Sequence, residues 1–92
     1  MMGEALTKAE HDRNHNPAEL IFAAEAYQQY ARCQLTMLGL GFGPFSSTAV
    51  PDYWPWEPKQ FKPSDDIRRN LEKAGALIAA AIDRVGAQKD SE

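Results

Sequence analysis

Residues 16–39, NPAELIFAAEAYQQYARCQLTMLG, decide the fold. Asn16 is a helix-capping residue type. Pro17 sits at the first helical position, where its missing N–H leaves no bond unmade, and Glu19 stands where a capping box has its acid. Leu20, Ala24, Tyr27, Ala31, Leu35 and Leu38 then recur at spacings of three and four. A second stripe of Ala23, Ala26, Tyr30, Cys33 and Met37 widens the apolar face, as a helix with a buried side requires. Gly39 supplies a terminator, so the pattern predicts a helix over residues 17–38.

A second helix follows from the same rules. Pro63 precedes Ser64, the expected N-cap, and Asp65 and Asp66 fall where a helix dipole favours carboxylates. Ile67, Leu71, Ala74, Ile78, Ala81, Ile82 and Val85 form the expected buried stripe. Arg84 and Gly86 mark the end, giving a helix over 65–85 with residues 87–92 partly flexible. Its middle is built of small residues, with Gly75 among Ala74, Ala76, Ala79, Ala80 and Ala81. A mid-helix glycine costs about 1 kcal/mol relative to alanine, so something should approach closely there. Three neighbours qualify: the first helix, the same helix of a second chain, or the connection between the helices.

That connection, from Gly39 to Pro63, carries five of the six prolines and six of the nine aromatics. The prolines exclude a long helix and disfavour a central strand. The aromatics, Phe42, Phe45, Tyr53, Trp54, Trp56 and Phe61, bring apolar area that disordered segments lack. An ordered loop wrapped over two antiparallel helices is the expected arrangement. The fold class is all-α, in a single domain of 92 residues, with a short helix near residues 5–10 and otherwise a partly flexible stretch over 1–15. A domain this small buries only somewhat more than about 60% of its unfolded surface, which favours a homo-oligomer.

Composition narrows the function. With 43% hydrophobic and 25% charged residues, the chain reads as an ordinary globular protein, with no membrane-spanning run. The acidic N-terminus does not resemble a signal peptide, so the cytoplasm is the expected location. Cys33 has no partner for a disulfide and reads as a small hydrophobe. A net charge of −3 argues against long nucleic acid as a partner. Even so, Lys59, Lys62, Arg68, Arg69 and Lys73 lie within fifteen positions, enough for a local basic face.

Three groupings could carry chemistry. Glu10, His11, Asp12, His15 and Glu19 have metal-ligand residue types, and two histidines four apart share a helix face. The cap at Asn16 breaks that face, however, so no metal is the first expectation and His11, Asp12 and His15 the alternative. Paired acidic motifs of magnesium-dependent nucleotide hydrolases are missing, and no histidine is placed to activate Cys33 or a serine. Gly39, Gly41 and Gly43 lack the lysine of a phosphate loop and read as turn residues. The third grouping is DYWPWEPKQFKPSDDIRRN, residues 52–70. Here Trp54 and Trp56 could stack a base while Lys59, Lys62, Arg68, Arg69, Lys73 and the second helix's N-terminus hold phosphates. The competing reading makes both tryptophans core residues and leaves the cations as the contact surface.

The second half of the chain resembles a family of small phage and prophage proteins. The matching pieces are Glu10-His11-Asp12, Glu19-Leu20, Ala23-Ala24, Tyr27, WPW at 54–56, KP at 62–63 and DIRRNLEKAGALIAAAIDR at 66–84. Ala81 and Arg13 depart from the family pattern, each replacing a carboxylate. The resemblance implies a viral or prophage origin and carries no activity with it. Proteins of that kind act by binding, so the expected function is an accessory protein without cofactor. It would inhibit a host protein, such as a defence complex, or sequester a small anionic nucleotide. A small metal-dependent nucleotide hydrolase and an assembly subunit are the alternatives.

Overall fold

The computed structural model describes residues 16–90, with side chains described as far as residue 86. Two α-helices, α1 (Pro17–Leu40) and α2 (Ile67–Asp90), pack antiparallel, and the connection holds a single 3₁₀ turn at Pro58–Gln60. Among the described residues there is no strand, so the all-α expectation holds. No helix among them is long and apolar enough to cross a membrane.

Both ends of α1 follow from its sequence. The Asn16 side-chain oxygen accepts from the Ala18 N–H at 2.8 Å. At the other end the helix runs past Gly39 and stops at Gly41, whose φ of 78° is open to glycine at little cost. Gly41 N–H donates to Leu38 C=O and Phe42 N–H to Met37 C=O, both at 3.1 Å, the paired bonds of a Schellman cap. Two glycines offered an end; the one that adopts a left-handed conformation supplies it.

The start of α2 lies two residues later than expected. Ser64 is not its N-cap. The Asp66 carboxylate accepts from Arg68 N–H at 3.0 Å, and the Ser64 hydroxyl accepts from Asp66 N–H at 3.0 Å, forming the turn before the cap. No acid lies in the first helical turn. Gly86 does not close the helix either, which continues to Asp90.

The contact between the helices is narrow and partly polar. Ala24, Ala31, Ala74 and Ala81 are buried, and Asn70 is fully enclosed. The Asn70 amide donates to Gln34 Oε1 and to Ser64 C=O, each at 2.8 Å, and its oxygen accepts from Ser64 N–H at 2.7 Å. The Gln34 amide donates to the Ser64 and Asp65 carbonyls at 3.1 Å. A buried amide left without these partners would cost about 1–3 kcal/mol per unsatisfied group. The network therefore fixes where the chain turns into α2, against the C-terminal half of α1.

Much of the apolar stripe expected in the core is outside it. Leu35 and Leu38 on α1, and Leu71, Ile78, Ile82 and Val85 on α2, are exposed. The true α2 seam is Ile67, Asn70, Ala74, Leu77, Ala81 and Arg84, one step around the helix. Asn70 belongs to it and the large aliphatic residues do not. Gly75 has no atom within 4 Å of where a Cβ would stand. Neither α1 nor the connection approaches it, so two of the three neighbours expected at this glycine are ruled out.

Candidate functional site

The aromatic connection is held to α1 by two tyrosines. Tyr27 Oη accepts from Lys62 N–H at 3.1 Å, and Tyr30 Oη accepts from Ser47 N–H at 3.3 Å. Their rings receive the loop's own: Phe61 lies 5.1 Å from Tyr27 and 4.9 Å from Trp54, and Phe45 lies 4.9 Å from Tyr30. Edge-on and tilted contacts of this kind add about 0.5–1.5 kcal/mol each to the area they bury. A loop rich in proline cannot satisfy its backbone through a ladder, and tyrosine hydroxyls one turn apart on α1 do so instead.

Trp54 is a core residue. It is buried against Ala23, Ala26 and Tyr27, and its indole N–H donates to Glu57 C=O at 2.9 Å. Neither ring face is open for a base. Trp56 is half-buried, edge-on to Trp54 at 5.3 Å, and its indole N–H donates to Glu19 Oε1 at 3.4 Å. It sits beside the start of α1, whereas Arg68 and Arg69 sit at the start of α2 near Gln34. Trp54 therefore offers no platform for a base, and Trp56 lies away from Arg68 and Arg69.

At the α2 N-terminus the Asp66 carboxylate accepts from Arg68 N–H and puts a negative charge where an anion would sit. A pocket under the loop, lined by Ala26, Cys33, Phe45, Val50, Pro51 and Phe61, holds about 140 Å³. That is below the roughly 300 Å³ at which small-molecule sites begin.

The cations themselves divide into two groups. Lys59 is 3.6 Å from Glu57, and Arg68 and Arg69 share Glu72 at 3.4 and 3.6 Å. These are exposed pairs worth a few tenths of a kcal/mol. Lys62 and Lys73 form the second group, with Arg69 close enough to act on Lys73. Lys73 Nζ donates to Lys62 C=O at 2.5 Å and lies 5.3 Å from the centre of the Tyr27 ring. Partial burial, then the charges of Arg69 and Lys62, hold the Lys73 ammonium below the ordinary lysine range. No carboxylate pairs with Lys62 or Lys73 among the described residues. Three cations thus gather at the junction of loop and α2, with Arg69 alone of the three paired to a carboxylate among the described residues.

His11, Asp12 and His15 lie outside the described residues, and Glu19 takes the Trp56 indole. Among the described residues no three metal-ligating side chains come together. The structural residues that sequence reasoning passed over are Gln34 and Asn70. The signal was present: Asn70 stands in the same three- and four-residue repeat as Ile67, Ala74 and Leu77.

Comparison with protein-family models, with curated proteins and with solved structures finds no match to this chain.

Proposed function

We propose that this protein is a non-enzymatic accessory protein of phage type that acts by binding an acidic surface on a host protein. The observation that carries this reading is the crowding of Lys62, Arg69 and Lys73 without enough carboxylates to balance them. Like charges held together cost free energy in the free protein, and an acidic partner relieves that cost on binding. Lys59 and Arg68 extend the same edge, held loosely by Glu57 and Glu72. Burial of Trp54 favours a protein partner over a nucleotide stacked on that ring.

A photocrosslinker at position 62, compared with one at position 79 on the far side of α2, tests this in host cells. The expected result is one adduct to an acidic host protein from position 62, abolished by Arg69→Glu with Lys73→Glu. Calorimetric titration with a nucleoside triphosphate serves as the counter-test. Heat of binding that the same double variant removes, without any protein adduct, would replace the protein partner by a nucleotide.

A further inference from the structure

We propose that the corner where α1 ends is a membrane-contact tip, which enters the surface of an anionic bilayer with Leu38, Leu40 and Phe42. The Schellman cap stops α1 at Leu40, and by Phe45 the chain has turned back to lie on Tyr30. Gln34 and Asn70, hydrogen-bonded to each other, hold the two helices level at one point. From that point α1 runs six residues on to Leu40, whereas α2 reaches only three residues the same way, to Ile67. At 1.5 Å per residue α1 projects about 4.5 Å beyond α2. Leu38, Leu40 and Phe42 stand on this projection and are 63%, 63% and 70% exposed. The sequence around them, from Cys33 to Pro51, contains no charged residue and no histidine, and is the longest such run in the chain.

Two observations favour a lipid surface over a protein one. The first is shape. Leu38 and Leu40 are two residues apart on α1, about 200° around a helix, and so face opposite ways. A protein surface lying against one leaves the other in water, whereas a bilayer closes around a projecting point from every side. The bonds from Gly41 and Phe42 N–H to Leu38 and Met37 C=O also reduce the bare polar groups that the tip carries inward. The second is the placement of charge. Measured from the same level point, Arg68 and Arg69 lie about 6–8 Å behind Leu40 along the axis. Amphipathic elements rest with their apolar part about 5–10 Å into the bilayer surface, a depth that brings these two guanidinium groups to the lipid phosphates. On this half of the two helices and in the segment leading into α2, Arg32, Lys62, Arg68, Arg69 and Lys73 stand against Asp65, Asp66 and Glu72. Asp66 is engaged by Arg68 N–H and Glu72 by both arginines. The excess is positive, which an anionic surface matches.

Co-sedimentation of the full chain with lipid vesicles tests the proposal. The expected result is binding to vesicles of phosphatidylglycerol and phosphatidylcholine in equal parts, and binding at least about tenfold weaker to phosphatidylcholine alone. Leu40→Ser with Phe42→Ser should weaken binding to the anionic vesicles on the order of a hundredfold, about tenfold for each apolar side chain kept out of the bilayer. Far-UV circular dichroism of that variant should match the parent, because both side chains are exposed. Arg68→Gln with Arg69→Gln should also weaken binding and reduce its dependence on salt. No binding to the anionic vesicles would overturn the proposal, as would undiminished binding by the serine pair or equal binding to both kinds of vesicle. Without vesicle binding, self-association that the serine pair abolishes would assign the tip to a second copy, and a host-protein adduct from a photocrosslinker at position 40 would assign it to a protein socket. The serine pair leaves Lys62, Arg69 and Lys73 in place, so the adduct expected from position 62 stands or falls separately.

Discussion

The two long sides of the helix pair begin with similar sequence patterns and end differently. On one side Tyr27 and Tyr30, with Ala23 and Ala26 ahead of them, are covered by Trp54, Phe61 and Phe45 from the loop. On the other, Leu71, Ile78, Ile82 and Val85 have the same helical spacing and stay exposed, with no cover among the described residues. The difference is that α1 places hydroxyls where the loop backbone needs acceptors. The bare side of α2 offers only aliphatic groups and a glycine. Aliphatic surface can attract a covering element, but it cannot satisfy the N–H groups of a proline-rich loop.

The comparison is broken most severely by a pair of alanine substitutions, one on each side. Trp54→Ala should lower unfolding free energy by about 3–5 kcal/mol, by opening a cavity beneath the loop, whereas Ile82→Ala should cost under about 1 kcal/mol in the monomer. Urea unfolding at low protein concentration measures both. Equal losses would mean that the sides do not differ as described.

Asn70→Ala should cost about 3 kcal/mol, because it leaves Gln34 and Ser64 polar groups buried without partners. Its effect should exceed that of Leu71→Ala, the neighbouring large apolar residue that is exposed. A larger loss at Leu71 would move the α1 contact onto the seam that periodicity alone suggested.

The smallest effect sharpens the account of the covered side's edge. Lys73 has its proton affinity lowered in the folded chain, so the unfolded chain binds more protons just below the ordinary lysine value. Stability therefore rises with pH through that window and levels off above it. Arg69→Gln removes one of the two repelling charges and should move the Lys73 titration upward, read from its Cε resonance by NMR. An unchanged titration would remove the crowding on which the proposed acidic partner rests.

How far the sequence could be read depended on what each residue type commits to. Asn16 and Pro17 permit few conformations together, and α1 begins where they place it. The terminators were less decisive. Gly39 and Gly41 both permit a helix end, and only the bonds to Met37 and Leu38 select one. At Ser64, Asp65 and Asp66 three residues in a row could cap, and the buried Asn70, by drawing Ser64 into the α1 contact, leaves the cap to Asp66. Apolar spacing identified both helices but merged two seams of α2 into one stripe, since a stripe broad enough for two neighbours looks the same before either is known. Among the proposed site residues, the cations were legible as a cluster. The tryptophans read more readily as core than as platform, although WPW by itself suits a buried corner as well as an exposed surface.

Amide hydrogen exchange of the intact protein tests the central claim, that the aromatic loop is a fixed part of the core on one side only. The account predicts slow exchange for Ser47, Trp54, Lys62 and Ser64, whose N–H groups are bonded to Tyr30, Pro51, Tyr27 and Asn70. Exchange at those four amides as fast as in an unfolded chain would contradict it.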